Sequence, residues 1–400
     1  MSPVLPFDIL ALIIDIAGEN KETDLLKELA LVSHSFHQIS SRHLFATVEL
    51  DNGVLPNYHN ASSKKGFVKL LKSRPDVVQY IRKLKYYVGH DNDEGHQLPP
   101  ILLNFIPAFS RLSSLTITAR DSYPDWNTLD SSLKSAFLQL MHLPTINHID
   151  LSFIHNFSPS NLTPSVNLLR LDISLCLSSP FEEDGSPEIM VEMMPKIHEF
   201  RTSDSFRLTT KLLHAKRPDG QPAFNFMDLR RFSTSFKRFE DERNIRYLLQ
   251  NAKLLEELHL EVAYGRSLVG FLFPNARTLK VLDLTVPLNN ETNSVFLGGF
   301  CEELEALVGH NMLETLSFTV RVFALEEEDF VGSKIQKVEK VLVKPGWSKL
   351  KQVSFRVSTG RFGGARTLSK ALRSLPDKYL SQLSKLESVA FDYSVGLFGY

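Results

Sequence analysis

One apolar spacing recurs along the 400-residue chain: L-x-x-L-x-L, with Ile, Val, Phe or Tyr admitted at the apolar places. It stands at Ile81-Leu84-Tyr86, Leu112-Leu115-Ile117, Ile146-Ile149-Leu151 and Leu168-Leu171-Ile173. It returns at Leu255-Leu258-Leu260, Leu279-Leu282-Leu284, Leu313-Leu316-Phe318, Leu350-Val353-Phe355 and Leu386-Val389-Phe391, with weaker copies at Ile197-Phe200 and Leu229-Phe232. The middle positions are 22 to 37 residues apart. Alternation over the second half of each copy predicts a short strand with two apolar side chains on one face. Between copies the spacing turns helical, as in Phe67-Val68-Leu70-Leu71, Leu133-Phe137-Leu140-Met141, Tyr247-Leu248 with Leu254, and Phe300-Leu304-Leu307. A strand and a helix at such intervals make a unit that buries its apolar face against its neighbours in the chain.

This spacing resembles the leucine-rich repeat. The resemblance implies an α/β solenoid over residues 67–400, with parallel strands on the concave face and helices on the convex face. The full repeat carries Asn or Cys three residues after the last apolar position, and only Cys176 keeps it. Gly89, Arg120, Ile154, Ala263 and Pro287 occupy the place elsewhere, so the solenoid is expected to be irregular. A doubly wound α/β domain also alternates strands and helices, but asks for longer, continuously apolar strands. Residues 51–66 read as a connector; residues 90–98, 181–187 and Glu326–Asp329 read as exposed loops.

Residues 5–50 read as three short helices. Pro6 suits the first helical position and Asp8 the first turn. Thr23 or Asp24 is placed to cap the second helix, and Ser35 with Gln38 has the spacing of a capping box for the third. In the first helix Ile9, Ile13 and Ile16 share one face, while Leu10, Ile14 and Ala17 share another. In the second, Leu25, Leu29 and Val32 form one stripe and Leu26 with Ala30 a second. Two apolar stripes per helix exceed what fewer than fifty residues can bury alone. The surplus face needs the rest of the chain or a second protein.

Leu5-Pro6-x-Asp8-Ile9-Leu10-x-x-Ile13-Ile14, then Leu25-Leu26-x-x-Leu29-Ala30-Leu31-Val32-Ser33, resembles an F-box. Phe36 and the ending Arg42-His43-Leu44-Phe45 are similar to the variant common in fungal F-box proteins. Ser33 departs from a frequent Cys and Phe36 from a frequent Trp, without removing the apolar face. The resemblance assigns residues 1–50 to an F-box. It implies docking onto a Skp-family adaptor, and through it a cullin, by Leu5, Pro6, Ile9, Leu10, Ile13, Leu25, Leu29 and Val32. The alternative is a helical cap that packs only on its own chain.

Lys and Arg number 45 against 46 Asp and Glu, so no net field draws the chain to nucleic acid or anionic lipid. Two cysteines, Cys176 and Cys301, make no disulfide framework and fit a reducing, intracellular compartment, nuclear or cytoplasmic. The N-terminus lacks a cationic segment, Asp8 and Asp15 break its apolar run, and no stretch reaches the roughly 20 residues of a membrane helix. The sequons at Asn60, Asn156, Asn161 and Asn290 are therefore expected to stay unglycosylated.

The search for chemistry returns solvated loops. His90 and His96, with Asp91, Asp93 and Glu94 between them, lack the spacing of a metal site. Gly360-Arg-Phe-Gly363-Gly364 lacks the Lys-Ser/Thr of a phosphate loop. The basic stretch from Arg230 to Arg246 is interrupted by Glu240, Asp241 and Glu242. No catalytic, cofactor or metal residue is expected, and neither is an enzyme. The combined resemblance implies the substrate-recognition subunit of a ubiquitin ligase, with a protein target held on outward strand positions of the most regular block: Glu257, His259, Asp283 and Arg321. An F-box-bearing scaffold that promotes no degradation, and an enzyme within an α/β body, are the other two readings.

Overall fold

The computed structural model describes residues 6–51, 62–89, 98–119, 123–178, 194–236, 239–262, 268–288, 293–322, 328–359 and 372–397. The chain divides into two units, one of residues 1–195 with 214–224, the other of residues 196–213 with 225–400.

The first unit opens with helices α1 (Phe7–Glu19), α2 (Thr23–Ala30) and α3 (His34–Leu44). Their starts differ in detail from the sequence reading. Pro6 stands just outside α1, with its carbonyl accepting the N–H groups of Ile9 and Leu10. Neither Thr23 nor Asp24 caps α2, because the Thr23 hydroxyl donates back to the Lys21 carbonyl. Ser33, not Ser35, caps α3, accepting the Phe36 N–H at 3.3 Å. The shared core is Ile14, Ala17, Leu26 and Ile39, with Ala11, Leu29, Phe36 and Leu44 packed against it.

Strands β1 (Thr47–Asp51), β2 (Ser62–Ser63), β3 (Lys83–Val88), β4 (Ser114–Ala119), β5 (His148–Ser152) and β6 (Arg170–Ser174) follow. All pair in parallel, in the order β6-β5-β4-β3-β1-β2. The middle positions fall into register as one column: Val48, Leu84, Leu115, Ile149 and Leu171. A second buried column holds Leu50, Tyr86, Ile117, Leu151 and Ile173. Strand β1 is a further copy of the spacing, Phe45-x-x-Val48-x-Leu50, ahead of those found in the sequence. The expected connector contains β2 and the start of helix α4 (Lys64–Ser73). Helix α5 (Leu98–Phe105) follows β3, and the apolar strand face takes helix side chains onto it: Phe137 of α6 (Ser131–Met141) meets Tyr86 edge-on at 5.0 Å.

The second unit repeats the plan with β7 (Glu199–Ser203), β8 (Arg231–Phe236), β9 (Glu257–Val262), β10 (Val281–Leu288), β11 (Thr315–Val322), β12 (Gln352–Thr359) and β13 (Ala390–Leu397). Each strand pairs in parallel with the next in the chain. Between them lie α7 (Phe206–His214), α8 (Phe239–Asn251), α9 (Asn293–Leu307) and α10 (Glu328–Leu342). Phe200, Phe232, Leu258, Leu282, Leu316, Val353 and Phe391 share one register. The last member corrects the sequence, which centred that copy on Val389. A slip of two residues keeps every side chain on its face, so the burial pattern hides it.

Burial alternates residue by residue in β9 and β11. That is the signature of strands covered on one face, not of the continuously buried strands of a doubly wound sheet. Cys176 fills the turn after β6, with its thiol 3.4 Å from the Leu151 carbonyl and 3.5 Å from that of Ser174; burial pushes its pKa up to about 12. Two buried carboxylates tie α9 and α10 to other turns of the second unit. Glu303 accepts the backbone N–H groups of Gly270, Leu272 and Phe273, and Glu339 accepts those of Gln382 and Leu383.

Candidate docking surfaces

Helix α1 divides its apolar residues between two faces. Ile14 and Ala17 enter the three-helix core, while Ile9, Leu12, Ile13 and Ile16 stand at least two-fifths exposed. Leu25 of α2 joins the outward set, and Leu31 and Val32 in the following turn are 87% and 66% exposed. Of the sixteen exposed large apolar side chains among the described residues, seven fall between Ile9 and Val32. Singly scattered apolar residues are ordinary on a protein surface; a concentration of this kind makes the α1–α2 face a candidate docking surface.

The residues expected to dock do not all lie on that face. Pro6, Ile9, Ile13, Leu25 and Val32 are exposed, and Leu10 is half-buried. Leu29 packs against the core of the three helices, because it lies three residues after the buried Leu26 and so shares its face of α2. Leu5 lies outside the described residues. Leu12, Ile16 and Leu31 complete the face; the sequence placed Ile16 on the same helix face as Ile9 and Ile13, but none of the three was counted among the docking residues, although Leu12 and Ile16 continue the i, i+3, i+4, i+7 series begun at Ile9. Helix α1 packs on α3. His43 Nε2 lies 2.7 Å from Asp15 Oδ1, and Gly18 leaves room for the same imidazole.

The outward strand face of the second unit gathers the expected target residues, and each is already engaged within the chain. Glu257 pairs with Arg231 at 3.1 Å, and Arg231 also holds Glu199 at 2.6 Å. His259 and Asp283 are register neighbours with Nδ1 3.3 Å from Oδ2. Arg321 reaches over β10 to Glu261. Below them Lys280 lies 3.0 Å from Glu256 and holds its carboxyl below the ordinary range. The basic stretch from Arg230 is balanced in the same way, by Glu256, Glu199 and Glu257, and by Glu242 on Arg246.

A second polar group lies on the strand face of the first unit and went unremarked in the sequence. Asp172 accepts from Arg170 at 2.7 Å and lies 3.1 Å from His148 Nε2, whose other ring nitrogen is 2.9 Å from the Ser114 hydroxyl. Burial opposes the charge on Asp172, but the hydrogen bonds from His148 and Arg170 outweigh it and hold the carboxyl low. Asp150, opposite Asp172 in the register, receives the Ser152 hydroxyl at 3.0 Å, and burial pushes its carboxyl up, aided by the charge on Asp172. His148, Asp150, Arg170 and Asp172 sit between the apolar positions of two copies, as Glu257 and His259 do, so the signal that found the one group also marks the other.

The expected loop at 181–187, the acidic run His90–His96, the glycines at 360, 363 and 364, and the sequons at Asn60 and Asn290 lie outside the described residues. Among the described residues no cluster of His, Cys, Asp or Glu is arranged to hold a metal ion, and no helix is long and apolar enough to cross a membrane.

No family model and no curated protein matches this chain. Among solved structures, the crystal structure of a Bacteroides fragilis protein, a structural genomics target, is similar over 78% of this chain and 74% of that one, at 12% identity and a TM-score of 0.34. A likeness so slight shows neither family nor function, and the surfaces above stand on their own geometry.

Proposed function

We propose that this protein is the substrate-recognition subunit of a cullin–RING ubiquitin ligase. In this reading residues 1–50 are an F-box whose α1–α2 face docks onto a Skp-family adaptor. The repeats that follow are leucine-rich-repeat-like and present a protein target on their outward strand faces. The protein performs no chemistry itself; it raises the effective concentration of target near the transferring enzyme. The observation that carries the reading is the outward apolar stripe Ile9, Leu12, Ile13, Ile16, Leu25 and Val32 above a core that α1, α2 and α3 complete without it. Such a reading places the protein in the cytoplasm or nucleus.

The test is binding of the purified full chain to a purified Skp-family adaptor, with Ile13→Asp/Val32→Asp beside the wild type. Both positions are exposed, so the double variant keeps its melting temperature, while a carboxylate driven into an apolar contact abolishes adaptor binding. A variant that binds as tightly as the wild type overturns the assignment. A second reading, an adaptor-bound scaffold that promotes no degradation, draws support from the internal pairing of Glu257, His259, Asp283 and Arg321. Unchanged target turnover in cells carrying Ile13→Asp/Val32→Asp favours it.

A further inference from the structure

In β7 and β8 the second inward strand position is polar. Thr202 and Thr234 are register neighbours there, where the next five strands carry Leu260, Leu284, Phe318, Phe355 and Tyr393. Thr202 shares a hydrogen bond with Thr209 of α7, at 2.8 Å. Thr234 is 6% exposed, and its hydroxyl has no hydrogen-bond partner among the described residues. Asn244 of α8 is 4% exposed; its amide donates to the Thr210 hydroxyl at 2.8 Å, and its side-chain oxygen accepts nothing among the described residues. The Ser235 hydroxyl is buried without a partner as well.

Thr234, Ser235 and Asn244 line one cavity together with Thr202, Asp204 and Asp241. It lies wholly within the second unit and has room for about one water-sized occupant. A buried polar atom without a partner costs stability, so three such oxygens around one small space point to something that they bind. The charge at the site sets its sign. Helices α7 and α8 both start here and bring roughly half a positive charge each, while Asp204 and Asp241 bring two carboxylates. A carboxylate has about four lone-pair sites and can serve a cation beside any donor it already accepts.

We propose that this cavity binds one calcium ion, held by the carboxylates of Asp204 and Asp241 and by the neutral oxygens of Thr234, Ser235 and Asn244. Calcium takes mixed carboxylate, amide and hydroxyl oxygens in flexible geometry, whereas magnesium keeps several waters and demands a near-ideal octahedron. The cavity is too small for an ion that brings its waters with it. With only two carboxylates and the rest neutral oxygens, the site is not a cluster of His, Cys, Asp and Glu. The ion ties the ends of β7 and β8 to the starts of α7 and α8.

The experiment treats the purified full chain with a chelator and then titrates CaCl₂ or MgCl₂, reading binding heat and melting temperature. Calcium is expected to bind at one site and to raise the melting temperature by roughly 5 °C at about 100-fold excess over Kd. Magnesium should bind at least tenfold more weakly. Asp204→Asn/Asp241→Asn should lose at least tenfold in calcium affinity, and Asp377→Asn, an exposed change elsewhere in this unit, should behave as wild type. Thr234→Val removes a buried hydroxyl without a partner, so its calcium-free melting temperature should equal or exceed that of wild type. Its calcium affinity should still fall at least threefold, which decides the matter where the double variant fails to fold. No calcium heat and no shift up to about 10 mM, a range that covers weak calcium sites, overturns the proposal and leaves the cavity to water. A calcium response unchanged in Thr234→Val, or magnesium bound as tightly as calcium, overturns it too.

Discussion

Gly18 of the first helix and His43 of the third meet where those helices cross, and a Cβ at position 18 would collide with the imidazole. The same ring lies 2.7 Å from Asp15, one turn earlier. Substituting Gly18 by Ala sets two effects against each other. Ala is the better helix former by about 1 kcal/mol, but its methyl group forces the helices apart or expels His43. The collision outweighs the propensity, since overpacking costs about 1–3 kcal/mol. Urea denaturation of Gly18→Ala should therefore show a loss of stability. Gly18→Ala/His43→Ala should recover most of that loss relative to His43→Ala alone, a coupling that a double-mutant cycle reads directly.

The two apolar faces of α1 and α2 should respond oppositely to mutation. Leu26→Ala removes a buried side chain from the three-helix core and should cost about 2–5 kcal/mol. Leu12→Ser, on the outward face, should change stability by less than about 0.5 kcal/mol. Equal losses at both positions would show that the outward face is covered by the chain's own residues.

Asp150 and Asp172 lie side by side in β5 and β6 and should titrate in opposite senses. Burial raises the Asp150 carboxyl in the folded state. Its neutral form favours folding, and that contribution is lost as pH rises through the raised value. Asp150→Asn should thus be more stable than wild type at neutral pH, with the advantage fading below the ordinary carboxylate range. The Asp172 carboxyl is lowered, with burial overcome by its bonds to His148 and Arg170. Its contribution is present above the ordinary range and lost as pH falls. Asp172→Asn should be less stable than wild type at neutral pH, with the deficit shrinking on acidification. Denaturation midpoints from pH 7 to about pH 4 separate the two; parallel curves for both variants would contradict the assignment.

Glu303 and Glu339 act as caps for turns outside their own helices. Glu303→Gln leaves one acceptor oxygen where two served three N–H groups, and turns an NH₂ toward donors. The loss should be about 1–3 kcal/mol, with faster hydrogen exchange at Leu272 and Phe273. Glu339→Gln should do the same at Gln382 and Leu383. Unchanged exchange at those amides would remove the capping role.

Strand positions were legible because a period of two needs only local residues. Leu84, Leu115, Leu258, Leu282 and Leu316 were each placed correctly as buried centres. Val48 was missed because Phe45 was taken as the end of a helix, which hid the copy that begins at that residue. Phe391 was placed as the last apolar position and not as the centre, because Val389 has the same parity and is itself buried. The pairing of Glu257 with Arg231, and of Arg321 with Glu261 across an intervening strand, depends on registers that no single copy encodes. Glu303 and Glu339 read as ordinary helix carboxylates; only the approach of a turn distant in sequence makes them buried acceptors. The outward face of α1 was legible in outline, while the inward placement of Leu29 required the packing of all three helices.

The most direct test of the account is hydrogen–deuterium exchange of the full chain alone and with a purified Skp-family adaptor. Docking through α1 and α2 predicts slower exchange over Phe7 to Val32, strongest near Ile13 and Ile16, and unchanged exchange in β9 to β12. Protection confined to the strands of the second unit, or no protection in α1 and α2 under saturating adaptor, would contradict it.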